Sequence, residues 1–300
     1  MPLTGALSDR WGRRRVYRIG SVFLLLYSFP AWWMLTLGNL IAVSGGNWVL
    51  LAIYMTVLAL ITTACTFPRP RDPAPRPDAI EDPYAAHAAG RLPADLETVG
   101  EVTGDVLAPS EPQVVVGIAQ NGPDHPSPVQ AWLKSPRTVV ASGTAVTLRR
   151  DAGTPVAEGE IAVVIARGTA GLTVQNAGDY VLGLSAVDDL SSPDRVLADP
   201  RNFESKSGAG YTPLGPWIDT EASLADVRLR MRVDGRDVAD TSADLLPVSI
   251  AECLAYVASW STLGPGDVVM TGAPYSQSPV WPGQTIEIEV GAVRLVTPTR

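Results

Sequence analysis

Two glutamates that flank a single glycine are the residues of this sequence whose types and spacing could do chemistry. Glu158 and Glu160 lead directly into the apolar run Ile161–Ala166. In an extended strand, residues two positions apart project from the same face, so both carboxylates would lie side by side against an apolar wall. Because adjacent carboxylates repel each other, a shared proton, a basic side chain or a divalent cation with oxygen ligands must neutralise them.

Charge is divided unevenly along the 300 residues of the chain. Residues 1–71 carry seven arginines and one acid, whereas residues 72–300 carry 16 basic and 30 acidic residues. Residues 72–300 carry a large excess of negative charge, so they are not attracted to nucleic acid or to an anionic lipid surface. We therefore expect a small-molecule partner and no nucleic acid, and a metal ion is easily accommodated.

Cysteine and histidine are too scarce to form a metal site of their own. The two cysteines are Cys65 and Cys253, and the two histidines are His87 and His125. Neither a disulfide framework nor a zinc ribbon is supported, and a reducing compartment fits this composition. Cys253 lies in a helical pattern and is expected to be a core residue.

Two uncharged runs near the N-terminus predict membrane spans. Ile19–Leu37 and Trp48–Phe67 are each long enough to cross a bilayer core of about 30 Å. Arginines flank the outer ends and are absent from the connection, which predicts that both ends face the cytoplasm. We expect a two-helix transmembrane hairpin in a domain of residues 1–67, with membrane contact through residues 16–67; a cleaved signal peptide is the alternative interpretation.

The segment before the first run carries a transporter-like motif. Its sequence GALSDRWGRR, at residues 5–14, resembles the cytoplasmic loop motif of major facilitator superfamily transporters, most closely their metabolite/proton symporter branch. Two helices cannot surround a transport route, so this part is interpreted as a transporter fragment. It is either a genuine fusion that anchors the protein or a gene-model error, and in the second case the protein is expected to be purely cytoplasmic.

Beyond the spans, the sequence changes character twice. Residues 68–111 are rich in Pro, Ala and acids and predict a linker, with a short helix or two within residues 85–106. Residues 112–300 predict a mostly β (α+β) domain, and one helix is predicted from the capping box of Ser249 and Glu252 to the stop at residues 264–266. The strand-like runs are Val114–Ile118, Thr138–Val140, Ile161–Ala166, Tyr180–Leu184, Val227–Val233, Val268–Met270 and Thr285–Val290.

Seven short motifs follow one another in this domain. They are PVQAWLKSP at 128–136, EGE at 158–160, GLSAVDDLS at 183–191, KS at 206–207, PLGPW at 213–217, VDG at 233–235 and LGPGDVVMTGAP at 263–274. In this order, residues 112–298 resemble the fumarylacetoacetate hydrolase family, C-terminal domain type. The resemblance implies a mixed β-sandwich roll, a homodimer and a small-molecule oxo-acid substrate. The arginines that flank the predicted spans place this catalytic domain in the cytoplasm.

The resemblance also implies a metal site made of three carboxylates. The family ligands match Glu158, Glu160 and, by register, Asp189, and they would bind Mg²⁺ first, with Mn²⁺ or Ca²⁺ as alternatives. All three are hard oxygen donors of the kind that such cations prefer. Asp188 stands where the family usually has Asn, and it is either a neighbouring hydrogen-bond acceptor or, if the register shifts by one residue, the ligand.

Further residues acquire roles from the same resemblance. The family cleaves, decarboxylates, hydrates or isomerises 2-oxo or 1,3-dicarbonyl acids, and a metal chelated by the substrate acts as a Lewis acid that stabilises an enolate. Lys206 matches the catalytic lysine, His125 falls near the histidine that activates water in hydrolytic members, and Thr271 and Gly272 match the loop that holds a substrate carboxylate. The alternatives are an ion-pairing or surface lysine, a loop histidine without a catalytic role and a tight turn after a strand. Lys134, the other lysine, is interpreted as a surface or ion-pairing residue.

Three departures from the family pattern leave two functions open. Pro128 stands at the position of the glutamate that partners the histidine, Pro193 replaces an arginine, and Ala209 replaces the aspartate after the lysine. The first function is a metal-dependent hydrolase, lyase or isomerase that acts on an acylpyruvate-like acid by C–C cleavage through an enolate. The alternative is a catalytically degenerate metal-binding member tethered to the membrane.

Overall fold

A computed structural model describes residues 82–91, 106–273 and 275–300. The transporter-like motif, both predicted spans and most of the predicted linker lie outside these residues. Within the described ranges, no helix is both long and apolar enough to cross a membrane.

Twelve strands and three α-helices form the described part of the chain. The strands are β1 Val115–Gln120, β2 Val129–Lys134, β3 Val139–Ala141, β4 Val156–Ile165, β5 Val181–Asp188, β6 Thr212–Leu214, β7 Arg228–Val233, β8 Arg236–Ser242, β9 Val268–Met270, β10 Gln277–Pro279, β11 Thr285–Val290 and β12 Val293–Pro298. The helices are α1 Pro83–Ala88, α2 Phe203–Lys206 and α3 Ile250–Trp260. The mostly β fold class expected for this domain is confirmed.

The strands belong to two sheets that enclose the main core. The larger sheet has the order β2-β1-β9-β4-β5-β6-β3, with β10 added to β4, and the smaller has the order β12-β11-β7-β8. The pairs β1–β9 and β3–β6 are parallel and the other strand pairs are antiparallel, so the larger sheet is mixed. Apolar residues of both sheets, such as Ile161, Leu184, Met231 and Ile288, fill the space between them.

Strand β4 is buried on both of its faces. Ile161, Val163 and Ile165 point into the main core, whereas Ala162 and Val164 belong to a second apolar cluster on the opposite face of the larger sheet. The sequence of a strand that is covered on both faces is a continuous apolar run, rather than an alternation of apolar and polar residues. This is why the run after the two glutamates is uninterrupted.

Helix α3 closes one side of the main core. Ser249 and Glu252 form the predicted capping box, and the helix ends at Trp260, four residues before the predicted stop. Ile250, Cys253 and Leu254 are buried at helical spacing. Cys253 is therefore a core residue, as predicted, and burial raises the pKa of its thiol to about 12.

Helix α1 lies inside the stretch that the sequence predicted to be a linker. Asp82 caps its first turn, and Pro83 occupies a first-turn position where a missing N–H costs nothing. Tyr84 packs against the second apolar cluster, and its hydroxyl lies 3.3 Å from Ser110 Oγ. This helix overlaps the range 85–106 in which a short helix was expected and begins two residues before it, because Tyr84 and the buried Ala86 supply an apolar face.

Gly183 in β5 occupies a position with no room for a side chain. A Cβ there would lie 2.5 Å from the Asp219 carbonyl oxygen and 2.7 Å from Ile218 Cγ2. We predict that G183A lowers the free energy of unfolding by about 1–3 kcal/mol, because the clash involves backbone in a central strand. Gly178, whose Cβ would meet nothing within 4 Å, is the control, and G178A should change stability by less than about 0.5 kcal/mol. Denaturant unfolding measures both, and equal losses would contradict the packing described for β5.

Candidate metal centre

Strand pairing brings the three predicted carboxylates together. Gly159 lies opposite Asp188 in the antiparallel pair β4–β5, and the Asp189 N–H donates to the Glu158 carbonyl at 2.9 Å. Asp189 is therefore held beside the strand that carries Glu158 and Glu160. One carboxylate oxygen from each of the three lies within 4.8 Å of the other two.

Two lysines meet these carboxylates from different elements. Lys206, at the end of α2, donates from Nζ to Glu158 Oε2 at 2.5 Å and to Asp189 Oδ2 at 2.6 Å. Lys134, at the end of β2, donates to Asp189 Oδ1 and to the carbonyl oxygens of Leu190 and Tyr211. Each oxygen of Asp189 thus accepts from one of the two lysines in the described structure.

Burial sets the electrostatics of the cluster. Desolvation, reinforced by the nearby charges, raises the pKa of Glu160 well above its usual value, and desolvation also raises the pKa of Glu158 despite the adjacent Lys206. For Asp189, desolvation is outweighed by Lys134 and Lys206, which hold its pKa below the ordinary value. Within the cluster, the surroundings therefore stabilise Asp189 as an anion. For Glu158 and Glu160, the nearby positive charge does not offset the cost of burying an ionised carboxylate.

The lysines respond in opposite directions to the same surroundings. Burial disfavours the ammonium form of both, but Asp189 and Glu158 outweigh it at Lys206 and raise the pKa of that side chain. At Lys134, which has no exposed side-chain surface, burial dominates and lowers the pKa. With three carboxylates ionised, two ammonium groups neutralise two of the three negative charges.

Asp188 and Asp189 have distinct surroundings, which bears on the register left open above. Asp188 accepts the Glu158 N–H at 3.2 Å through Oδ1, while its Oδ2 is buried without a hydrogen-bond partner among the described residues. Desolvation raises the pKa of Asp188 to about 8. It is Asp189, rather than Asp188, whose carboxylate lies with those of Glu158 and Glu160.

The loop after β9 contributes a backbone contact and a free hydroxyl. The Gly272 N–H donates to Glu160 Oε2 at 2.6 Å, so this group orients the carboxylate in the described structure. Thr271, 1% exposed, has a hydroxyl without a hydrogen-bond partner among the described residues. Such a buried hydroxyl costs free energy unless a bound molecule or water satisfies it.

His125 lies apart from this arrangement of hydrogen bonds. It is exposed in the loop between β1 and β2, and its Nδ1 accepts the Ser127 N–H at 3.0 Å. No hydrogen bond of the described residues joins it to Glu158, Glu160 or Asp189. Pro128, at the partner position, supplies no carboxylate to orient the ring.

The sequence alone assigns no role in the site to two residues that lie next to the cluster, Lys134 and Trp132. Lys134 is fully buried and forms an ion pair with Asp189, so its interpretation as an ion-pairing residue is confirmed and its interpretation as a surface residue is wrong. Trp132 places its ring 5.1 Å from Lys206 Nζ, within cation–π distance. That ring covers Gly117, where a Cβ would lie 2.5 Å from it. Lys134 could have been recognised because it is one of only two lysines in the chain.

The donor set fits a hard divalent cation. The three residues that converge offer only carboxylate oxygens, which suit Mg²⁺, Mn²⁺ and Ca²⁺ better than softer metals. They are also buried or half-buried, and in their ionised forms they carry more negative charge than the two lysines neutralise. A cation would remove that excess.

Known proteins share this fold and this part of the sequence. A 4-hydroxyphenylacetate degradation bifunctional isomerase/decarboxylase of Salmonella dublin is 35% identical over 145 residues, which cover 46% of this chain and 34% of that protein. Oxaloacetate tautomerase YisK of Bacillus subtilis is 28% identical over 165 residues, which cover 54% of each chain. The crystal structure of 5-carboxymethyl-2-hydroxymuconate delta-isomerase from Mycobacterium smegmatis is 30% identical, with a TM-score of 0.61 over 64% of this chain and 78% of that chain.

The family model for the fumarylacetoacetate (FAA) hydrolase C-terminal domain matches residues 102–298, which include the whole cluster. The match does not extend to the transporter-like segment. The chain therefore belongs to the fumarylacetoacetate hydrolase family of enzymes.

Proposed function

We propose that this protein is a divalent-cation-dependent enzyme that acts on an acylpyruvate-like 2-oxo or 1,3-dicarbonyl acid. The observation that carries the proposal is the convergence of Glu158, Glu160 and Asp189 within 4.8 Å, where Glu160, Asp189 and the adjacent Lys206 are buried. Keeping all three carboxylates of this cluster ionised is costly unless a cation binds there. Relatives named as isomerases, decarboxylases and a tautomerase support the same substrate class.

Glu158, Glu160 and Asp189 would hold the cation, with Mg²⁺ as the first expectation and Mn²⁺ or Ca²⁺ as alternatives. When bound, the cation supplies Lewis-acid polarisation of a substrate carbonyl. Gly272 holds the Glu160 carboxylate in place through its N–H, and Lys134 does the same for Asp189. Such supporting contacts fix the orientation of ligands.

In this proposal, the ammonium group of Lys206 stabilises the negative charge that develops on the substrate. Its ammonium group already contacts two of the carboxylates, so it lies at the edge of the position that a substrate would occupy. An enolate oxygen that forms there gains a charge-assisted hydrogen bond from Nζ. Because the site is largely shielded from water, this hydrogen bond is stronger there than it would be at the surface.

Thr271 is the residue that would bind a substrate carboxylate. Its hydroxyl has no partner among the described residues, and the adjacent Gly272 N–H is engaged by Glu160. In this proposal Thr271 therefore contributes the direct contact, while Gly272 contributes by orienting the metal ligand. The role of Gly272 in direct substrate binding stays a prediction from the sequence.

Isomerisation or decarboxylation fits the site better than hydrolysis does. Hydrolysis needs a positioned base to activate water. His125, the candidate for that role, is exposed and hydrogen-bonded to Ser127, and Pro128 replaces its carboxylate partner. The loss of an arginine at Pro193 and of an aspartate at Ala209 keeps the catalytically degenerate member as the second candidate.

Other expectations from the sequence remain proposals. These are the homodimer, the membrane anchor, the cytoplasmic location and the domain boundaries 1–67, 68–111 and 112–300. Carbonate extraction of the expressed full chain tests the anchor, since a two-span hairpin predicts retention in the membrane pellet.

A substrate panel with metal tests the catalytic proposal. We predict turnover of an acylpyruvate, oxaloacetate or a hydroxymuconate-type diacid in the presence of Mg²⁺ or Mn²⁺, followed by absorbance. E160Q should lose at least about 100-fold in activity and metal affinity, because it removes a buried charged ligand. E204Q, which breaks only an exposed ion pair with Arg195, should behave like the wild type. Metal binding without turnover of any compound would favour the degenerate member.

Thr271→Val tests the proposed carboxylate contact. We predict that kcat/KM falls about 10- to 100-fold, as expected for a lost hydrogen bond to a charged group. Stability should change little, because the hydroxyl has no partner within the described structure. Thr297→Val is the matched control, since Thr297 is another buried threonine without a hydroxyl partner there. Equal kinetics for the two variants would contradict the assignment of Thr271.

A further inference from the structure

The peptide group that joins Thr271 to Gly272 makes a hydrogen bond at each of its two ends. Its N–H, on Gly272, donates to Glu160 Oε2 at 2.6 Å. Its carbonyl oxygen, on Thr271, accepts from Gln120 Nε2 at 2.9 Å. A trans peptide group is planar, and its C=O and N–H point in opposite directions. The side chain that holds the carbonyl end therefore also fixes the direction of the N–H that faces Glu160.

The carboxamide of Gln120 is itself held in one orientation. Its Oε1 accepts the Val248 N–H at 2.9 Å, and its Nε2 donates to the Val248 carbonyl oxygen at 3.1 Å. Because an amide oxygen accepts and an amide nitrogen donates, these partners allow only one placement of the two ends. Val248 directly precedes Ser249, the N-cap of α3. Gln120 thus joins the loop after β9 to a helix that packs in the main core.

A glycine at position 272 makes this anchor important. Gly272 has a φ of +88°, and a Cβ there would lie 2.7 Å from the Ile118 carbonyl oxygen and 2.9 Å from Gln120 Cγ. The position therefore requires glycine, which adopts positive and negative φ about equally well. Rotation of the 271–272 peptide group, which would turn its N–H away from Glu160, is not opposed by a side chain on residue 272. Hydrogen bonds to the peptide group itself must oppose it.

We propose that Gln120 is a positioning residue for the metal centre. Its carboxamide holds the carbonyl end of the 271–272 peptide group and thereby keeps the Gly272 N–H on the Glu160 carboxylate. A hydrogen bond at one end of a peptide group also polarises it, so the N–H at the other end becomes a better donor. The Glu160 carboxylate can accept this hydrogen bond and ligate a cation at the same time. This inference rests on the metal site of the proposed function and adds a residue outside the cluster to it.

Neighbouring contacts hold other peptide groups of the same loop. The Thr271 N–H donates to the Ile161 carbonyl oxygen at 3.1 Å, which fixes the preceding peptide group against β4. After the loop, the Gly159 N–H donates to the Ser276 carbonyl oxygen at 2.8 Å. Both contacts tie the loop to β4, whereas the contact with Gln120 acts on the peptide group whose N–H faces Glu160. Loss of Gln120 should therefore affect the direction of that N–H more than the path of the loop.

Hydrogen exchange of the full-length chain without added metal tests the position of this N–H. Q120M keeps the length of the side chain and removes its donor and acceptor. We expect the Gly272 amide to exchange several-fold faster in Q120M than in the wild type, as measured by mass spectrometry with fragmentation that resolves residue 272. Unchanged exchange at Gly272 in Q120M would overturn the proposal.

Q284M is the matched control for this measurement. The carboxamide of Gln284 also joins two segments, because it accepts the Trp281 N–H at 2.9 Å and donates to Asp234 Oδ2 at 2.8 Å. The variant therefore makes the same chemical change at another place and should leave exchange at Gly272 as it is in the wild type. Equal acceleration in Q120M and Q284M would also contradict the proposal, since it would reflect a general loss of stability.

Metal affinity supplies the second readout. We expect Q120M to bind Mn²⁺ about 10-fold more weakly than the wild type in calorimetry, as is typical when a contact that orients a ligand is lost. Q284M should bind Mn²⁺ like the wild type. Wild-type affinity in Q120M would contradict the positioning role.

Q120E separates positioning from the effect of charge. It has nearly the shape of the wild-type side chain but places an oxygen where Nε2 faces the carbonyl oxygens of Val248 and Thr271. An added negative charge alone would attract a cation and strengthen Mn²⁺ binding. Loss of the anchored peptide group predicts weaker Mn²⁺ binding and faster exchange at Gly272. Tighter Mn²⁺ binding by Q120E would overturn the proposal.

The two proposals fail in different ways. If calorimetry shows no binding of Mn²⁺ to the wild-type chain, the metal site of the proposed function is wrong, and exchange at Gly272 still decides whether Gln120 holds the peptide group. If the wild type binds Mn²⁺ and Q120M matches it in both exchange and affinity, only the role of Gln120 is wrong.

Discussion

Repulsion between buried carboxylates is the constraint on which this site depends. Glu158, Glu160 and Asp189 are brought within 4.8 Å of one another, and two lysines cannot neutralise all three in their ionised forms. An arrangement of this kind persists in its ionised form only if the surrounding structure holds it firmly and if positive charge is available. The functional proposals follow from these two requirements.

The fold holds the three carboxylates in place. Strand β4 carries both glutamates through the middle of the larger sheet, and its pairing with β5 fixes Asp189 beside them. The loop after β9 reaches the same point and holds Glu160 through the Gly272 N–H. A packed core between the two sheets prevents the strands from separating to relieve the repulsion. The scaffold therefore maintains a negative centre that suits a divalent ion.

Much of this could be predicted from the sequence, and the limits have physical causes. The apolar run after Glu160 and the capping box at Ser249 are local signals, so β4 and α3 were predicted close to their observed positions. Strand β8 was missed because its residues are mostly polar and partly exposed, which leaves no apolar pattern. The contacts of Lys134 with Asp189 depend on tertiary pairing between distant segments, which spacing along the chain does not reveal.

The most direct test of the central claim is a crystal structure of the protein with Mn²⁺, analysed for anomalous scattering. The account predicts one strong peak bounded by oxygens of Glu158, Glu160 and Asp189. A peak elsewhere, or none at a saturating concentration of Mn²⁺, would contradict it.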